Sequence, residues 1–586
     1  MKRKRNIAGA VSLKPQKEER STGAQKNGSS RRAFFGQLGG AAAATVALSA
    51  FSAGPLAAVA SAEVIQGPAR ANQSQSVRVN AANKERSVAL PPHTTNGDQQ
   101  LYHDKSASYS KGLLQNSYAV VNPAAWTSFT KALGSGLASD WDNIIIGGTR
   151  SENGPQGAYA FDLEGTDSGQ FGNAPSPANQ ENLVVVPPFA TVVSTNYGQQ
   201  LVELYWGALL RDVAFTDYDE NTTAIDAAAE MTTFPDYTGP RNSSGQVTPD
   251  LLFRGGFPGE TVGPYMSQFM ITPTAIGQQA IGQQLTTYVP DVDYMTDINT
   301  WFEVQNGIPT GLSNQNASDL QYLHNGRGLA AYTHVDVLYE AYFVALLAMG
   351  TLGVPLNPGN PYVGNRTQNG FCTFGAPDFA ASLGEISARV LDKVWYQKWL
   401  IHLVQRPESG GGLVQLQLDP TLGSAQAKVN SNCLNSQGVA QTFSKYGTYL
   451  LPQAFPEGSP THPSYPTGHG TVAGACITLL KFFFDGAYVI PNPLVPADDG
   501  LSLLPYTGSD AGQITVCGEL NKLAHNVSFG HGIHAGIHWR SDSDQSMILG
   551  EAYAISMLQD RASCYNEKFT VSFQKLDGTT ATISNE

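Results

Sequence analysis

Helical patterns of apolar residues recur along most of this chain, and they constrain its fold more than any other feature of the sequence. Apolar residues three or four positions apart form one face of a helix, which must be buried against another element. One of these patterns opens with Ser382 and Glu385 in the spacing of a capping box. Five segments are predicted as the main helices: Leu201–Phe215, His334–Met349, Ser382–Arg406, Thr467–Phe484 and Ile537–Leu558.

Segments rich in Gly, Pro and Asn separate these helices, and two long ones, Pro355–Pro377 and Pro407–Thr442, are predicted as loops. The tail Phe569–Ile583 alternates with a period of two around Asp577-Gly578, which predicts a β-hairpin. The predicted fold class is therefore mainly α: a large helical bundle with a few peripheral β-strands, including the C-terminal hairpin.

The N-terminus has the features of an export signal. Residues 1–32 are basic and polar and end in Arg31-Arg32, and the uncharged Gly- and Ala-rich stretch that follows closes on Ala60-Ser61-Ala62. This combination predicts a twin-arginine signal over residues 1–62. The mature protein is then expected to be periplasmic or secreted, without stable membrane insertion. A retained membrane anchor is the alternative, which the weak hydrophobicity of the stretch disfavours.

Composition divides the rest of the chain and limits its partners. Residues 63–100 are rich in Asn, Gln, Ser and Ala without an apolar period, which predicts a polar linker or arm. Residues 101–330 are predicted as an N-terminal helical region, and 331–586 as a C-terminal helical region that carries the site and the hairpin. The formal net charge of −13 argues against binding to nucleic acid, whose phosphates select basic surfaces.

Five cysteines are scattered along the chain without the spacing of a zinc site. One or two disulfides are compatible with an oxidising compartment, and the odd number leaves at least one thiol unpaired or intermolecular. Cys476 lies in the apolar run Val472–Phe484 and is predicted to be a small buried residue.

Seven of the eleven histidines lie between His402 and His538, and three segments in and around that region carry candidate chemistry. In the first segment, Lys398 and Arg406 stand eight positions apart, so both side chains are expected on one broad face of a helix that Pro407 ends. Two cations on one side of an apolar helix indicate a buried counter-anion, although an exposed charged stripe has the same spacing.

The second and third segments add hydrogen-bond donors and a basic nitrogen. Thr467 is a natural N-cap, and the N–H groups of Gly468 and His469 in the first turn of the following helix predict an anion site. His538 and Asp542 stand four residues apart, so the carboxylate can accept the Nδ1 proton and leave Nε2 as a nucleophile or metal ligand. Taken singly, an ordinary capped helix and a structural His–Asp pair have the same patterns.

Together the three segments resemble the shared signature of vanadium haloperoxidases and type 2 phosphatidic acid phosphatases: Lys-x7-Arg-Pro, then Pro-Thr-Gly-His, then His-x3-Asp. The resemblance is sharper toward red-algal bromoperoxidases in five stretches: Trp395–Trp399, Arg406–Glu408, Glu457–Tyr465, Glu519–Ala524 and Leu549–Glu551. It runs from about residue 330 to the end of the chain, and more faintly from about residue 120.

This resemblance implies a vanadate cofactor bound through Nε2 of His538, whose ring is steered by Asp542. It also implies roles for the other candidates: Lys398, Arg406, Thr467 and Gly468 bind the vanadate oxygens, Lys398 polarises peroxide, His469 is the acid–base partner, and His462 is a second pocket histidine near peroxide or halide. The implied partners are hydrogen peroxide, bromide or iodide, small organic acceptors, and further copies of the chain in a dimer or larger homo-oligomer.

Two positions depart from the family pattern. Thr467 stands where the family usually has serine, which keeps the hydroxyl. The family has an arginine six residues before the metal histidine, where this chain has Gly532, and a one-residue insertion would put His531 in that place. His534, four residues before the metal histidine, and Arg540 are weaker substitutes. His531 is therefore predicted to contact the oxyanion, with one donor instead of an arginine fork and hence weaker vanadate affinity.

The leading hypothesis is a vanadate-dependent haloperoxidase that oxidises bromide or iodide with hydrogen peroxide to a hypohalous-acid-type halogenating species. A secreted acid phosphatase is the alternative, with His538 as nucleophile and His469 protonating the leaving group, because vanadate and phosphate share charge and shape. The length of the N-terminal helical region favours the peroxidase. A binding or signalling descendant without turnover is the third hypothesis.

Overall fold

The computed structural model describes residues 73–86, 92–148 and 185–585, which contain 17 α-helices. The predicted export signal, residues 1–62, lies outside these ranges. The N-terminal helices are α1 (Ser74–Arg86), α2 (Asp98–Leu101), α3 (Pro123–Ser135), α4 (Ala138–Asp142), α5 (Thr195–Leu209), α6 (Thr222–Thr232), α7 (Gln268–Ile271) and α8 (Ile298–Gln305). In the parts of the chain that the structure describes, no helix has both the length and the apolar character needed to cross a membrane.

The remaining helices belong to the C-terminal half of the chain. They are α9 (Gly326–Val335), α10 (Glu340–Thr351), α11 (Ala376–Tyr396), α12 (Pro407–Leu418), α13 (Ser431–Leu434), α14 (Gln437–Tyr446), α15 (Gly468–Phe483), α16 (Val516–Phe529) and α17 (Arg540–Ala562). Two π-helical turns, Gln397–His402 and Gly530–His534, directly follow α11 and α16. The predicted helix Thr467–Phe484 is confirmed as α15.

The strands form five small antiparallel pairs. These are β1 (Gln115–Ser117) with β2 (Val120–Val121), β3 (Thr274–Ile276) with β4 (Gln279–Ile281), β5 (Leu285–Tyr288) with β6 (Asn316–Gln321), β7 (Leu494–Pro496) with β8 (Leu503–Pro505), and β9 (Thr570–Gln574) with β10 (Thr580–Ser584). The last pair is the predicted C-terminal hairpin, in which Phe573 pairs with Ala581 and Gly578 has a φ of 81° in the turn. The mainly α fold class with small peripheral strands is thus confirmed.

The helix α15 is the centre of the core that carries the site. It is buried along its whole length and contacts α11, α16 and α17. Its packing against α17 is close, because a Cβ on Gly474 would lie 2.0 Å from the carbonyl oxygen of Met547, and a Cβ on Gly550 would lie 2.0 Å from that of Thr471. The two glycines therefore allow the backbones of α15 and α17 to come into direct contact where the helices cross.

The predicted helix His334–Met349 is wrong, because the chain forms two helices there. His334 belongs to the end of α9, and α10 begins only at Glu340. Asp336 leaves the helical conformation with a ψ of 157°. The residues at the break, Val335, Asp336 and Val337, all have low helix propensity. The break matters for function, because Asp336 reaches the site described below.

The predicted capping box at Ser382 and Glu385 is also wrong. The helix α11 begins earlier, at Ala376, with Pro377 in its first turn, where proline is tolerated because its missing N–H has no helical partner. Ser382 lies inside the helix, where its hydroxyl donates to the carbonyl oxygen of Asp378.

The segment Pro407–Thr442, predicted as a loop, contains three helices, α12 to α14. Its run of three glycines, which indicates a loop in the sequence, lies in α12. A Cβ on Gly411 would come within 2.6 Å of the Leu451 nitrogen, and one on Gly412 within 2.1 Å of the Trp301 ring. The glycines are explained by close packing of the helix, which sequence alone does not reveal.

Two further expectations concern the N-terminal linker and the cysteines. The segment predicted as a polar linker or arm, residues 63–100, includes α1, whose Ala, Arg, Lys and Glu residues favour a helix even without an apolar face. All five cysteines lie in the described ranges and are free thiols, so no disulfide is present among them. Cys476 is fully buried, as predicted.

We expect Gly550→Ala to lower the free energy of unfolding by about 1–3 kcal/mol, because the new methyl group would force α15 and α17 apart. Chemical denaturation of the folded protein measures the change. The matched control is Gly384→Ala in α11, where a Cβ would meet nothing within 4 Å. Helix propensity predicts that the control gains up to about 1 kcal/mol. Equal effects of the two substitutions would contradict the packing argument.

A buried histidine joins three segments of the fold. His525 of α16 contacts Glu260 through Nδ1 and lies 3.0 Å from Asp544 through Nε2. Burial alone lowers the pKa of His525, but the two carboxylates outweigh it and raise the pKa to about 9. The folded protein therefore holds a proton here that the unfolded chain releases near pH 6.5.

This proton makes the contribution of His525 to stability depend on pH. The contribution is complete below about pH 6.5 and is lost as the pH rises through about 9, with a slope near 1.4 kcal/mol per pH unit between them. We expect the difference in unfolding free energy between the unsubstituted protein and His525→Gln to shrink over this range, measured by urea denaturation at each pH. A constant difference would show that the histidine is not protonated.

Candidate oxyanion site

The first candidate segment does not form one continuous helix, which corrects the expectation that Lys398 and Arg406 share a helical face. Lys398 lies in the π-helical turn Gln397–His402, and Leu403 ends that turn with a φ of 46°. Arg406 is extended and is the N-cap of α12, with Pro407 as the first helical residue. The proline thus starts a new helix, and the chain bends so that both cations still point to one place.

Lys398 and Arg406 converge on His462. Lys398 Nζ and Arg406 Nη2 each lie 2.9 Å from His462 Nδ1. Both cations can only donate, so Nδ1 presents a lone pair and the ring is neutral. Burial, together with the positive charges of Lys398 and Arg406, holds the pKa of His462 well below its usual range. The Trp395 ring lies beside the imidazole, at 4.7 Å between centroids, and 4.8 Å from Lys398 Nζ.

His538 and Asp542 make the predicted pair, but not along one helical face. His538 precedes α17, and Asp542 is the third residue of that helix. Arg406 Nη1 donates to His538 Nε2 over 2.7 Å, so Nδ1 carries the proton and donates to Asp542 Oδ2 over 2.8 Å. This tautomer leaves the Nε2 lone pair directed into the pocket. Burial and the charges of Arg406 and Lys398 lower the pKa of His538 well below its usual value.

Ser464 supports this pair, and sequence reasoning did not identify it. Its hydroxyl donates to Asp542 Oδ2, which also accepts from the Trp539 N–H over 3.3 Å. Burial raises the pKa of Asp542 to about 7, while these hydrogen bonds and the Arg406 charge act in the opposite direction. Ser464 therefore holds the carboxylate that orients His538. In the sequence it lies two residues after His462, within the stretch Glu457–Tyr465 that carries the resemblance.

The start of α15 also faces the pocket. Thr467 is its N-cap residue, as the sequence predicts, with one difference. Its side chain makes no capping hydrogen bond to the helix. The hydroxyl instead lies 3.4 Å from His538 Nε2. Gly468 follows, and a Cβ there would lie 3.0 Å from the Trp395 ring, so the small residue is required by contact with that indole.

His469 is held by a carboxylate that sequence reasoning also missed. Its Nε2 lies 3.1 Å and 3.2 Å from the two oxygens of Asp336, in the break between α9 and α10. The carboxylate accepts a hydrogen bond from Nε2–H, which leaves the lone pair of the ring on Nδ1. The available signal in the sequence is that Asp336 is one of two acidic residues in an otherwise apolar run.

His531 lies in the pocket, where the sequence predicts it. It belongs to the π-helical turn Gly530–His534, in which the Ala535 N–H donates to the Gly530 carbonyl, five residues back. A π turn holds one more residue than an α turn, so it accommodates the one-residue insertion. The His531 ring stacks on His469, with centroids 3.7 Å apart, and its centroid is 5.4 Å from that of His538.

The two weaker substitutes for the family arginine face elsewhere. His534 was expected on the face of His538, but the π turn directs it into an aromatic cage, where Nε2 lies 2.9 Å from the Tyr265 hydroxyl. Arg540 forms a buried ion pair with Glu203, with Nε 2.9 Å and Nη2 2.5 Å from the carboxylate oxygens. Neither side chain is available to an anion in the pocket.

The assembled residues suit a tetrahedral oxyanion. Lys398 and Arg406 supply buried positive charge, Thr467 supplies a hydroxyl, and His538 supplies a basic nitrogen. His531 is only 2% exposed, and its Nδ1 makes no hydrogen bond to any atom of the described chain. A buried polar atom without a partner is costly, and a bound anion with its oxygens would satisfy it.

Comparison with known proteins agrees with this chemistry. The vanadium-dependent bromoperoxidase of Ascophyllum nodosum is 32% identical over 536 residues, which cover 87% of this chain and 91% of that protein. The enzyme of the same name from Corallina pilulifera is 30% identical over 608 residues, covering 88% and 98%. No protein-family model matches the chain.

A solved structure is similar over nearly the whole chain. It is the homohexameric second vanadate-dependent bromoperoxidase of Ascophyllum nodosum, with a TM-score of 0.80 and 27% identity over 92% of this chain and 94% of that one. The helical fold and the buried oxyanion pocket thus define a vanadium-dependent haloperoxidase, a peroxidase with a vanadate cofactor. Within that class, the chain belongs to the family of vanadium-dependent bromoperoxidases.

We expect His531→Arg to tighten the binding of orthovanadate to the cofactor-free protein by about tenfold, because a charge-assisted hydrogen bond contributes about 1.5 kcal/mol more than the neutral one of histidine. Equilibrium dialysis measures the affinity without reference to turnover. The control His531→Gln keeps a neutral donor and is expected not to tighten binding. Unchanged affinity in His531→Arg would count against a contact between residue 531 and the oxyanion.

Proposed function

We propose that this protein oxidises bromide or iodide with hydrogen peroxide and releases a hypohalous-acid-type species that halogenates small organic acceptors. The observation that carries the proposal is the convergence of Arg406 and Thr467 on Nε2 of buried His538, with Lys398 donating to His462 beside Arg406. The balanced reaction joins one halide, one peroxide and one proton to give one hypohalous acid and one water.

The residues that would hold vanadate follow from this arrangement. His538 would bind it through Nε2, and Lys398, Arg406, Thr467, the Gly468 N–H and His531 would donate to its oxygens. When bound, vanadate supplies Lewis acidity without a change of oxidation state. Low dielectric in the pocket strengthens each of these contacts, because the residues that make them are buried.

The protein's own part in the reaction is to position peroxide and to move a proton. Lys398 is expected to polarise peroxide, since its buried ammonium donates into the pocket next to His462. His462 is in turn expected to lie near peroxide or halide. His469 would exchange the proton through Nδ1, because Asp336 holds its Nε2. The reaction consumes a proton, and Asp336, the partner of His469, is flanked by the exposed residues Val335 and Val337.

Export and assembly are also part of the proposal. The twin-arginine motif at residues 31 and 32 supports a periplasmic or secreted enzyme, bacterial in origin and folded before export. The homohexameric relative supports a homo-oligomer, either a dimer or a larger assembly.

The phosphatase hypothesis uses the same pocket, and one pair of assays separates the two activities. The mature protein is incubated with orthovanadate, peroxide and bromide, and halogenation of a cyclic diketone is followed. In parallel, hydrolysis of p-nitrophenyl phosphate is followed without vanadate. We expect halogenation and little hydrolysis.

The variant His538→Ala is expected to reduce halogenation to background, because it removes the only histidine nitrogen that Asp542 orients toward the oxyanion. The exposed His103 provides the control, and His103→Ala is expected to retain full activity. Halogenation that survives in His538→Ala would refute the assignment of this residue. Hydrolysis of the phosphate ester alone would favour the phosphatase.

A further inference from the structure

Buried segments of the protein surround the oxyanion site on most sides, so its product must leave where the pocket lies close to the surface. Residues 450–484 and 516–540 are buried throughout. Lys398, Arg406 and His538 are at most 1% exposed. A reagent formed among these side chains therefore cannot reach bulk solvent directly, and it must pass an element that has one side in the pocket and another in water.

The break between α9 and α10 is such an element. Asp336 points inward and binds His469. The residues beside it, Val335 and Val337, are 47% and 48% exposed, and Tyr339, at the start of α10, is 39% exposed. We call Val335–Tyr339 the rim. Its exposed side chains are apolar or aromatic, a surface that favours neutral, weakly solvated molecules over ions.

We propose that the halogenating species leaves the site over this rim and that Tyr339 is a self-halogenation site when no other acceptor is present. Among the described residues, Tyr339 is the most exposed tyrosine. It stands three positions after Asp336, so their Cα atoms are at most about 11 Å apart. This inference rests on the proposed haloperoxidase activity and goes beyond it by naming a modified residue and an exit.

The chemistry balances with hypobromous acid from the proposed reaction as the only oxidant. The ring carbon ortho to the hydroxyl of Tyr339 attacks the bromine of hypobromous acid. A C–Br bond forms while the O–Br bond breaks, and the electron pair of the broken bond stays on oxygen. The ring then loses the proton from that carbon, which joins the hydroxide to give water. The ring carbon is oxidised by two electrons, and the bromine is reduced from +1 to −1.

The experiment compares bromine made by the enzyme with bromine added from outside. The vanadate-loaded protein turns over with peroxide and bromide and no organic acceptor, and peptide mass spectrometry measures bromination at each tyrosine. A vanadate-free sample receives hypobromous acid directly. The reference is Tyr506, which is partly buried and donates to Asp510. We expect the ratio of label at Tyr339 to label at Tyr506 to be several-fold higher during turnover than with added reagent.

Two designed tyrosines test the exit route independently of Tyr339. Val337→Tyr adds a ring on the rim next to Asp336, and we expect it to be brominated during turnover. Leu400→Tyr is the matched control, because Leu400 is 45% exposed and lies in the π turn that carries Lys398, away from the rim in sequence. Preferential label at position 400, or equal ratios at Tyr339 with both sources of bromine, would overturn the proposal.

Failure of this inference is distinguishable from failure of the proposed function. Tyr339→Phe removes the phenol, so we expect loss of the label at position 339 and unchanged halogenation of the cyclic diketone. Diketone halogenation without enrichment of label on the rim would refute the exit and leave the haloperoxidase function standing. Absence of diketone halogenation would refute the function itself.

Discussion

Burial of two cations beside neutral imidazoles is the constraint around which the pocket is built. A charge removed from water is costly unless the structure around it compensates. Lys398 and Arg406 are buried, and both donate to His462. Together with burial, their charges lower the pKa values of His462, His531 and His538. The rings therefore stay neutral and offer lone pairs, and the pocket keeps a positive potential that an oxyanion with several negative oxygens complements.

The positions of these side chains depend on irregular backbone. Lys398 lies in one π turn and His531 in the other, and each turn directly follows a long α-helix. Leu403, with a φ of 46°, ends the first turn and lets the chain reverse toward Arg406. π turns and left-handed residues are unfavourable in a regular helix and persist where the surrounding packing requires them. Here they aim side chains that a regular helix would direct elsewhere.

The regular helices provide the frame that holds these irregular turns in place. Close contact of α15 with α17 at Gly474 and Gly550 brings the first half of one helix against the first half of the other. The Thr467 N–H donates to the Ser546 hydroxyl over 2.7 Å, which ties the start of α15 to the second turn of α17. Thr467 and His538 are 71 residues apart in the chain, yet they face the same small volume. The site is therefore as rigid as the core beneath it.

The sequence by itself determined the mainly helical class, the C-terminal hairpin, the N-cap at Thr467 and the candidate residues that carry the motifs, including His531. These features depend on local periodicity, capping and motif spacing, which are properties of short segments. Only the tertiary structure decided that Lys398 and Arg406 lie on different elements, that Asp336 and Ser464 support the histidines, and that His534 faces away. These outcomes depend on contacts between segments that are distant in the chain and on π-helical turns. The contacts stabilise this arrangement only once the segments have packed together, so no short stretch of sequence reveals it.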